Sequence, residues 1–259
     1  MARAGETGAC VRGSSGAGGD SPWLQNGAVV SWRRMTADFA LAAGLAFLFD
    51  MDGVLIESTA IHTRAWEEYL ARHGIPSAGV MEKMLGKRND EIVRVLWGPS
   101  LTEDEVYRHG ADKERLYREL MAPVFREHIV PGVEEFVREA SRRGAPCGLA
   151  TNAEPANVDF VLDGTGLRPC FRVIVDGHQV ERPKPDPEVY LTAARRLGVE
   201  PRQCVIFEDS PGGLQAARAA GGRVVAVLTT LQEAPEADLA IRDFRDPKLM
   251  PWLSRLTPR

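Results

Sequence analysis

The sequence has no surplus of positive charge: 32 Lys and Arg stand against 36 Asp and Glu, a net charge of −4. The two signs alternate along the chain, which excludes the basic footprint of a nucleic-acid binder and the polybasic patch of a membrane-surface protein. Cysteine is sparse. Cys10, Cys147, Cys170 and Cys204 have neither the paired spacing of a zinc site nor the density of a disulfide scaffold. Cys147 and Cys204 fall in apolar runs, where a free thiol packs as a small core residue, and a reducing, cytoplasmic compartment is the expectation. No apolar stretch approaches the length of a membrane span, and the first residues lack the charged-then-apolar pattern of a secretory signal. Nucleotide-loop fingerprints are missing too. Gly86-Lys87 lacks the upstream glycine and the following Ser or Thr of a phosphate loop, and no glycine motif follows the first strand-like run.

What is present is a chain of 259 residues, enough for one substantial core and a small second domain. Residues 1–44 are rich in Gly, Ser and Ala, show no sustained period, and read as a disordered extension; Met35 offers an alternative start. From Ala46 onward, short apolar runs alternate with helical patterns. The runs are Ala46-Phe47-Leu48-Phe49, Cys147-Gly148-Leu149-Ala150, Arg172 to Val175, Cys204 to Phe207 and Arg223 to Val227. Continuous apolar runs separated by helices are what a parallel sheet covered on both faces requires. Ser210-Pro211 caps one helix and Gly221-Gly222 ends it. The predicted fold is a doubly wound α/β core of the Rossmann type, spanning 45–56 and 128–259.

Roughly 90 residues separate the first run from the second, where a crossover of about a dozen would do. Residues 57–127 are therefore read as an inserted α-helical cap, with apolar positions Ala65, Trp66, Tyr69 and Leu70, then Ile92, Val93, Val95 and Leu96, then Leu116, Tyr117, Leu120 and Met121 at helical spacing. Trp66 and Tyr69 are expected in the cap's own core.

In open parallel sheets, ligands bind outside the carboxyl ends of the strands, and here those ends are polar. Asp50 and Asp52, two apart on an extended segment, can point the same way. With Glu208 and Asp209 from another strand end they form a set of hard oxygens suited to Mg²⁺. Thr151 and Asn152 end the second run. They offer a hydroxyl and an amide to a phosphoryl group, or simply cap the next helix. Lys184, fixed between Pro183 and Pro185, brings a positive charge, although a lysine alone is more often solvated. A carboxylate in such a setting can form an aspartyl-phosphate and split one hard displacement into two easier ones. A neighbouring carboxylate is expected to raise the Asp52 pKa, and a nearby Mg²⁺ to oppose that rise.

These motifs resemble the haloacid dehalogenase-like hydrolase superfamily, in the branch with a helical cap after the first strand that includes phosphoglycolate phosphatase and beta-phosphoglucomutase. Asp50-Met51-Asp52-Gly53-Val54-Leu55 matches the first motif, Thr151 the second, Lys184 the third and Glu208-Asp209 the fourth. The resemblance implies Asp50 as nucleophile and Asp52 as general acid and base, with Thr151 and Lys184 on phosphate. It implies Mg²⁺ on Asp50, the main-chain carbonyl of Asp52, Glu208 and Asp209. In the cap, His62, Arg88 and Lys113 resemble substrate positions of the mutase, although His62 and Lys113 equally suit polar positions on helices. The expected protein is a Mg²⁺-dependent phosphatase for a small phosphorylated metabolite, monomeric or weakly dimeric. A sugar phosphomutase is the alternative. A phospho-accepting receiver domain is more distant, since its acceptor follows a middle strand.

Overall fold

The computed structural model describes residues 44–77 and 88–256. The expected N-terminal extension, Met35, Cys10 and the Gly86-Lys87 loop lie outside the described residues. The described strands form one parallel sheet in the order β3-β2-β1-β4-β5-β6, from β1 (Ala46–Phe49), β2 (Cys147–Ala150), β3 (Val173–Val175), β4 (Cys204–Glu208), β5 (Arg223–Val227) and β6 (Leu239–Ile241). β1 is central, pairing with β2 through Leu48↔Gly148 and with β4 through Leu48↔Ile206. The strand order reverses direction at β1, so a crevice opens at the carboxyl ends of β1 and its neighbours.

The two faces of β1 go to two cores, as period two requires. Ala46 and Leu48 join Ile206, Val224 and Ala226 under the helices α6 (Glu188–Leu197) and α7 (Pro211–Ala220). Phe47 and Phe49 face the other way. Phe49 stacks on Phe207 with ring centroids 4.9 Å apart and meets Phe171 edge-on at 5.8 Å, while Phe47 meets Phe136 of α4 (Val133–Arg142) at 5.5 Å. Cys147 and Cys204 are buried free thiols, and burial pushes both up to about 12.

Three helices of the insertion precede α4 between β1 and β2: α1 (Thr59–Arg72), α2 (Asn89–Trp97) and α3 (Glu103–Met121). Thr102 begins α3 with a capping box, its hydroxyl accepting from Glu105 N while the Glu105 carboxylate accepts from Thr102 N. Trp66 and Tyr69 are buried among these helices. The helix after β2 is α5 (Pro155–Thr165), and it has Glu154 at its N-cap, whose side chain makes no capping bond. Thr151 and Asn152 therefore do not cap it. The Thr151 hydroxyl instead accepts from Ala153 N at 3.1 Å, and Asn152 Oδ1 accepts from Lys184 N at 3.3 Å. Ser210 does cap α7, accepting from Gly213 N at 3.1 Å. No helix among the described residues is long and apolar enough to cross a membrane.

Candidate active site

Asp50 leaves β1 where the strand stops pairing, and Glu208 is the last residue of β4 beside it. One oxygen from each of Asp50, Glu208 and Asp209 lies within 4.8 Å of the others, and all three residues are buried. Lys184 reaches this corner from the loop before α6. Its Nζ is 2.8 Å from Asp50 Oδ1 and 2.5 Å from Glu208 Oε1.

Two glycines make the corner possible. Gly53 turns the chain at φ +73, and a Cβ there would stand 1.9 Å from Asp209 Oδ2. A Cβ on Gly213, in the first turn of α7, would stand 1.8 Å from Glu208 Oε1. Glu208 thus folds under the start of α7, where its Oε2 accepts from Asp209 N at 2.9 Å and Ser210 N at 3.1 Å. Its Oε1 also accepts from Tyr190 OH at 2.8 Å.

Three carboxylates crowd this corner and only Asp50 and Glu208 reach its ammonium, and their proton affinities record the imbalance. Burial raises Asp50 to about 7 against the pull of Lys184, with Glu208 and Asp52 adding to the rise. Burial also raises Asp209 to about 8, helped by Glu208 and Asp50 and opposed by the Thr230 hydroxyl. Burial pushes Glu208 up as well, but Lys184 more than reverses this and holds it below the usual range. Lys184, which burial alone would lower, is raised by Asp50 and Glu208.

The Asp52 carboxylate is turned away from this cluster. Its Oδ1 accepts from Ser58 Oγ at 2.6 Å and lies 3.6 Å from His62 Nε2. Lost hydration pushes its pKa up, but the bond and charge of His62 and the Ser58 bond outweigh that, and the group sits below the usual carboxylate range. A neighbouring carboxylate, Glu114, does push it up as expected, but His62 and Ser58 outweigh that push. Lys113 stands beside His62, Nζ to Nδ1 3.2 Å, over the Trp66 ring and 2% exposed; it is not a solvated helix charge.

Arg88 faces a cleft that reaches Asn152. It precedes α2, 3.2 Å from Asp90 Oδ1, and lines a cleft of about 220 Å³ with Tyr107, Asn152, Gly177 and His178. Asp50 is not among the residues lining that cleft.

The structure adds residues that the sequence did not single out. Thr229 donates to Gly53 O at 2.6 Å and Thr230 donates to Asp209 Oδ2, both just past β5. Position after a strand was the available signal for these two. Ser58 and Tyr190 carried none.

The family model of the haloacid dehalogenase-like hydrolases matches residues 45–221. Protein CbbY of Rhodobacter capsulatus is 32% identical over 82% of this chain and 97% of its own length. Fructose-1-phosphate phosphatase YqaB of Escherichia coli (strain K12) is 32% identical over 69% of this chain and 93% of its own. Among solved structures, CbbY from Rhodobacter sphaeroides in complex with phosphate aligns with a TM-score of 0.66 at 31% identity, covering 77% of this chain and 94% of that one.

Proposed function

This chain belongs to the haloacid dehalogenase-like hydrolases, as a phosphoric monoester hydrolase, and from that premise we propose that it dephosphorylates a small sugar-phosphate-like metabolite through Asp50 with Mg²⁺. The observation that carries the reading is the sharing of Lys184 Nζ between Asp50 and Glu208 at the exits of β1 and β4. A single buried ammonium leaves three carboxylates under-compensated, and hard oxygens with excess negative charge suit a divalent cation. Asp50, Glu208 and Asp209 would hold it, with the main-chain carbonyl of Asp52. When bound, Mg²⁺ supplies charge that offsets the transferring phosphoryl group.

The chain's own residues account for the bond changes. An Asp50 oxygen bonds to phosphorus as the ester P–O bond breaks, and Asp52 gives the leaving oxygen its proton from its protonated form, a minority while His62 and Ser58 hold the carboxyl low. Water then attacks the aspartyl-phosphate, Asp52 takes the water's proton, and phosphate leaves with Asp50 restored. Lys184, Thr151 and Asn152 would offer donors to the phosphoryl oxygens. Relatives named for fructose 1-phosphate and for other phosphorylated carbohydrates favour a sugar phosphate as substrate. The helical insertion after β1 and the family match leave no room for the receiver reading.

Asp50→Asn is expected to fold and to release no phosphate, and a chelator is expected to stop the wild-type enzyme. Near-normal turnover in either case sinks the proposal. A sugar phosphomutase is the second reading, favoured by the His62–Lys113 pair beside Asp52. Beta-glucose 1-phosphate with a trace of the 1,6-bisphosphate separates the two: free phosphate marks the phosphatase, glucose 6-phosphate without phosphate the mutase.

A further inference from the structure

Glu114 takes no part in the chemistry above, yet it is a buried carboxylate, 4% exposed, with every oxygen in use. Oε1 accepts from Lys113 Nζ and, at 2.7 Å, from Asn89 Nδ2. Oε2 accepts from Asn157 Nδ2 at 2.7 Å and lies 3.7 Å from His62 Nδ1. These partners come from all three inserted helices and from α5. Burial pushes Glu114 up, but Lys113 and His62 with the Asn89 bond bring it down to about 2. Such a group is tolerated in the interior only because it is fully paired.

Its neighbour one turn along α3 makes a second attachment to the same place. Arg118 Nη1 donates to Glu154 Oε1 at 2.8 Å and to Asn157 Oδ1 at 2.7 Å. Asn157, 1% exposed, therefore spends its amide in both directions on α3, giving Nδ2 to Glu114 and Oδ1 to Arg118. Glu114 and Arg118, four apart, lie on one face of α3 and hook α5 together. On the other side, the His62 ring lies flat on Tyr117, centroids 3.8 Å apart and planes 6° apart, with Nδ1 3.2 Å from the Lys113 Nζ that Glu114 holds and 3.7 Å from Glu114 Oε2 itself, and with Nε2 toward Asp52. One imidazole thus spans the gap between the buried Glu114 and the carboxylate assigned the proton transfer.

We propose that Glu114 is a positioning residue: through His62 it sets the Asp52 carboxylate, and it does so only while α3 is docked on α5 through Asn157. Docking of the insertion and orientation of the proton-transferring group are then one event. This rests on the assignment of Asp52 given above. Lys113 and Asn89 hold Glu114 in place from the insertion side, and Asn157 reports on the core side.

The test compares 4-nitrophenyl phosphate, whose leaving group needs little protonation, with fructose 1-phosphate, whose leaving oxygen needs a proton. Glu114→Gln keeps the size and loses the charge. Its expected effect is a roughly 10- to 100-fold fall in kcat on fructose 1-phosphate, with KM nearly constant and the aryl ester much less affected. Asn157→Asp sets a second carboxylate against Glu114 while keeping an acceptor for Arg118. It should speed amide hydrogen exchange in α3 and produce the same selective loss. Asp52→Asn, run alongside, is the reference for selectivity. If Asp52→Asn is selective but Glu114→Gln lowers both substrates equally, or raises KM alone, the inference is wrong and the Asp52 assignment stands. If Asn157→Asp loosens α3 and leaves the substrate ratio at the wild-type value, the coupling is wrong. Equal losses in Asp52→Asn overturn the assignment and this inference with it.

Discussion

The imbalance at Asp50, Glu208 and Asp209 has a measurable consequence for the metal-free protein. A carboxyl whose pKa is higher folded than unfolded favours the fold below the unfolded value and loses that contribution as pH rises through the folded value. Asp50 moves from 3.8 to about 7, and Asp209 moves in the same direction to about 8. Because the groups interact, they are counted once: about two units of the Asp50 shift fall between pH 5 and pH 7, at about 1.4 kcal/mol per unit, or about 3 kcal/mol. For a domain of this size that is roughly 6–12 °C in Tm. The assay is thermal unfolding of EDTA-treated protein from pH 5 to pH 8, with and without Mg²⁺, for wild type and Asp50→Asn. The wild-type Tm is expected to fall relative to the variant as pH rises, and Mg²⁺ to restore it at pH 8 far more than at pH 5. A wild-type-minus-variant difference that is flat in pH, with an equal Mg²⁺ shift at both ends, would refute the electrostatic account of the site.

Two further substitutions probe the same corner. Lys184→Met leaves Asp50 and the fully buried Glu208 without their cation; it should cost about 3–5 kcal/mol in urea unfolding at neutral pH, shrinking as pH falls and the carboxyls protonate. A loss that does not depend on pH would argue against the buried pairing. Gly213→Ala drives a Cβ into Glu208 and should lower stability by about 1–3 kcal/mol and weaken inhibition by inorganic phosphate. Gly212→Ala, with nothing within 4 Å of its Cβ, should instead gain a few tenths to about 1 kcal/mol at unchanged activity. Equal effects at the two glycines would refute the close approach of Glu208.

The strands that form the middle of the sheet were legible because both of their faces are covered, which writes them as unbroken apolar runs. β6 was missed for the converse reason. Leu239-Ala240-Ile241 is a three-residue edge strand whose first two residues are only half-buried, too short and too mixed to stand out from a loop. The inserted helices were legible from their apolar stripes, although each begins two or more residues before its first apolar contact, where only Thr102 leaves a capping signature. β3 likewise starts at Val173, one residue later than the run from Arg172 suggested.

At the site, what could be read was what lies at a strand end, because position alone gives such a residue a role. Asp50, Thr151, Glu208 and Asp209 all come from that rule, and Lys184 came from its flanking prolines. Glu114, Arg118 and Asn157 could not be read in this way. In sequence, Lys113-Glu114 and Arg118 look like the mixed charges of a solvated helix face, and α3 carries ten charged residues in nineteen. Whether an acid four residues before a base forms a local surface pair or reaches across to another helix is decided by which face packs, and that depends on α5, about forty residues further on. The charges that mattered were those on the apolar stripe itself: Lys113 and Glu114 fall beside Leu116 and Tyr117, on the side where Val106 and Gly110 are buried too. A charge on a buried stripe must find a partner or pay several kcal/mol, so charged residues in register with an apolar stripe are the ones a sequence reading should set aside for pairing before it assigns them to solvent.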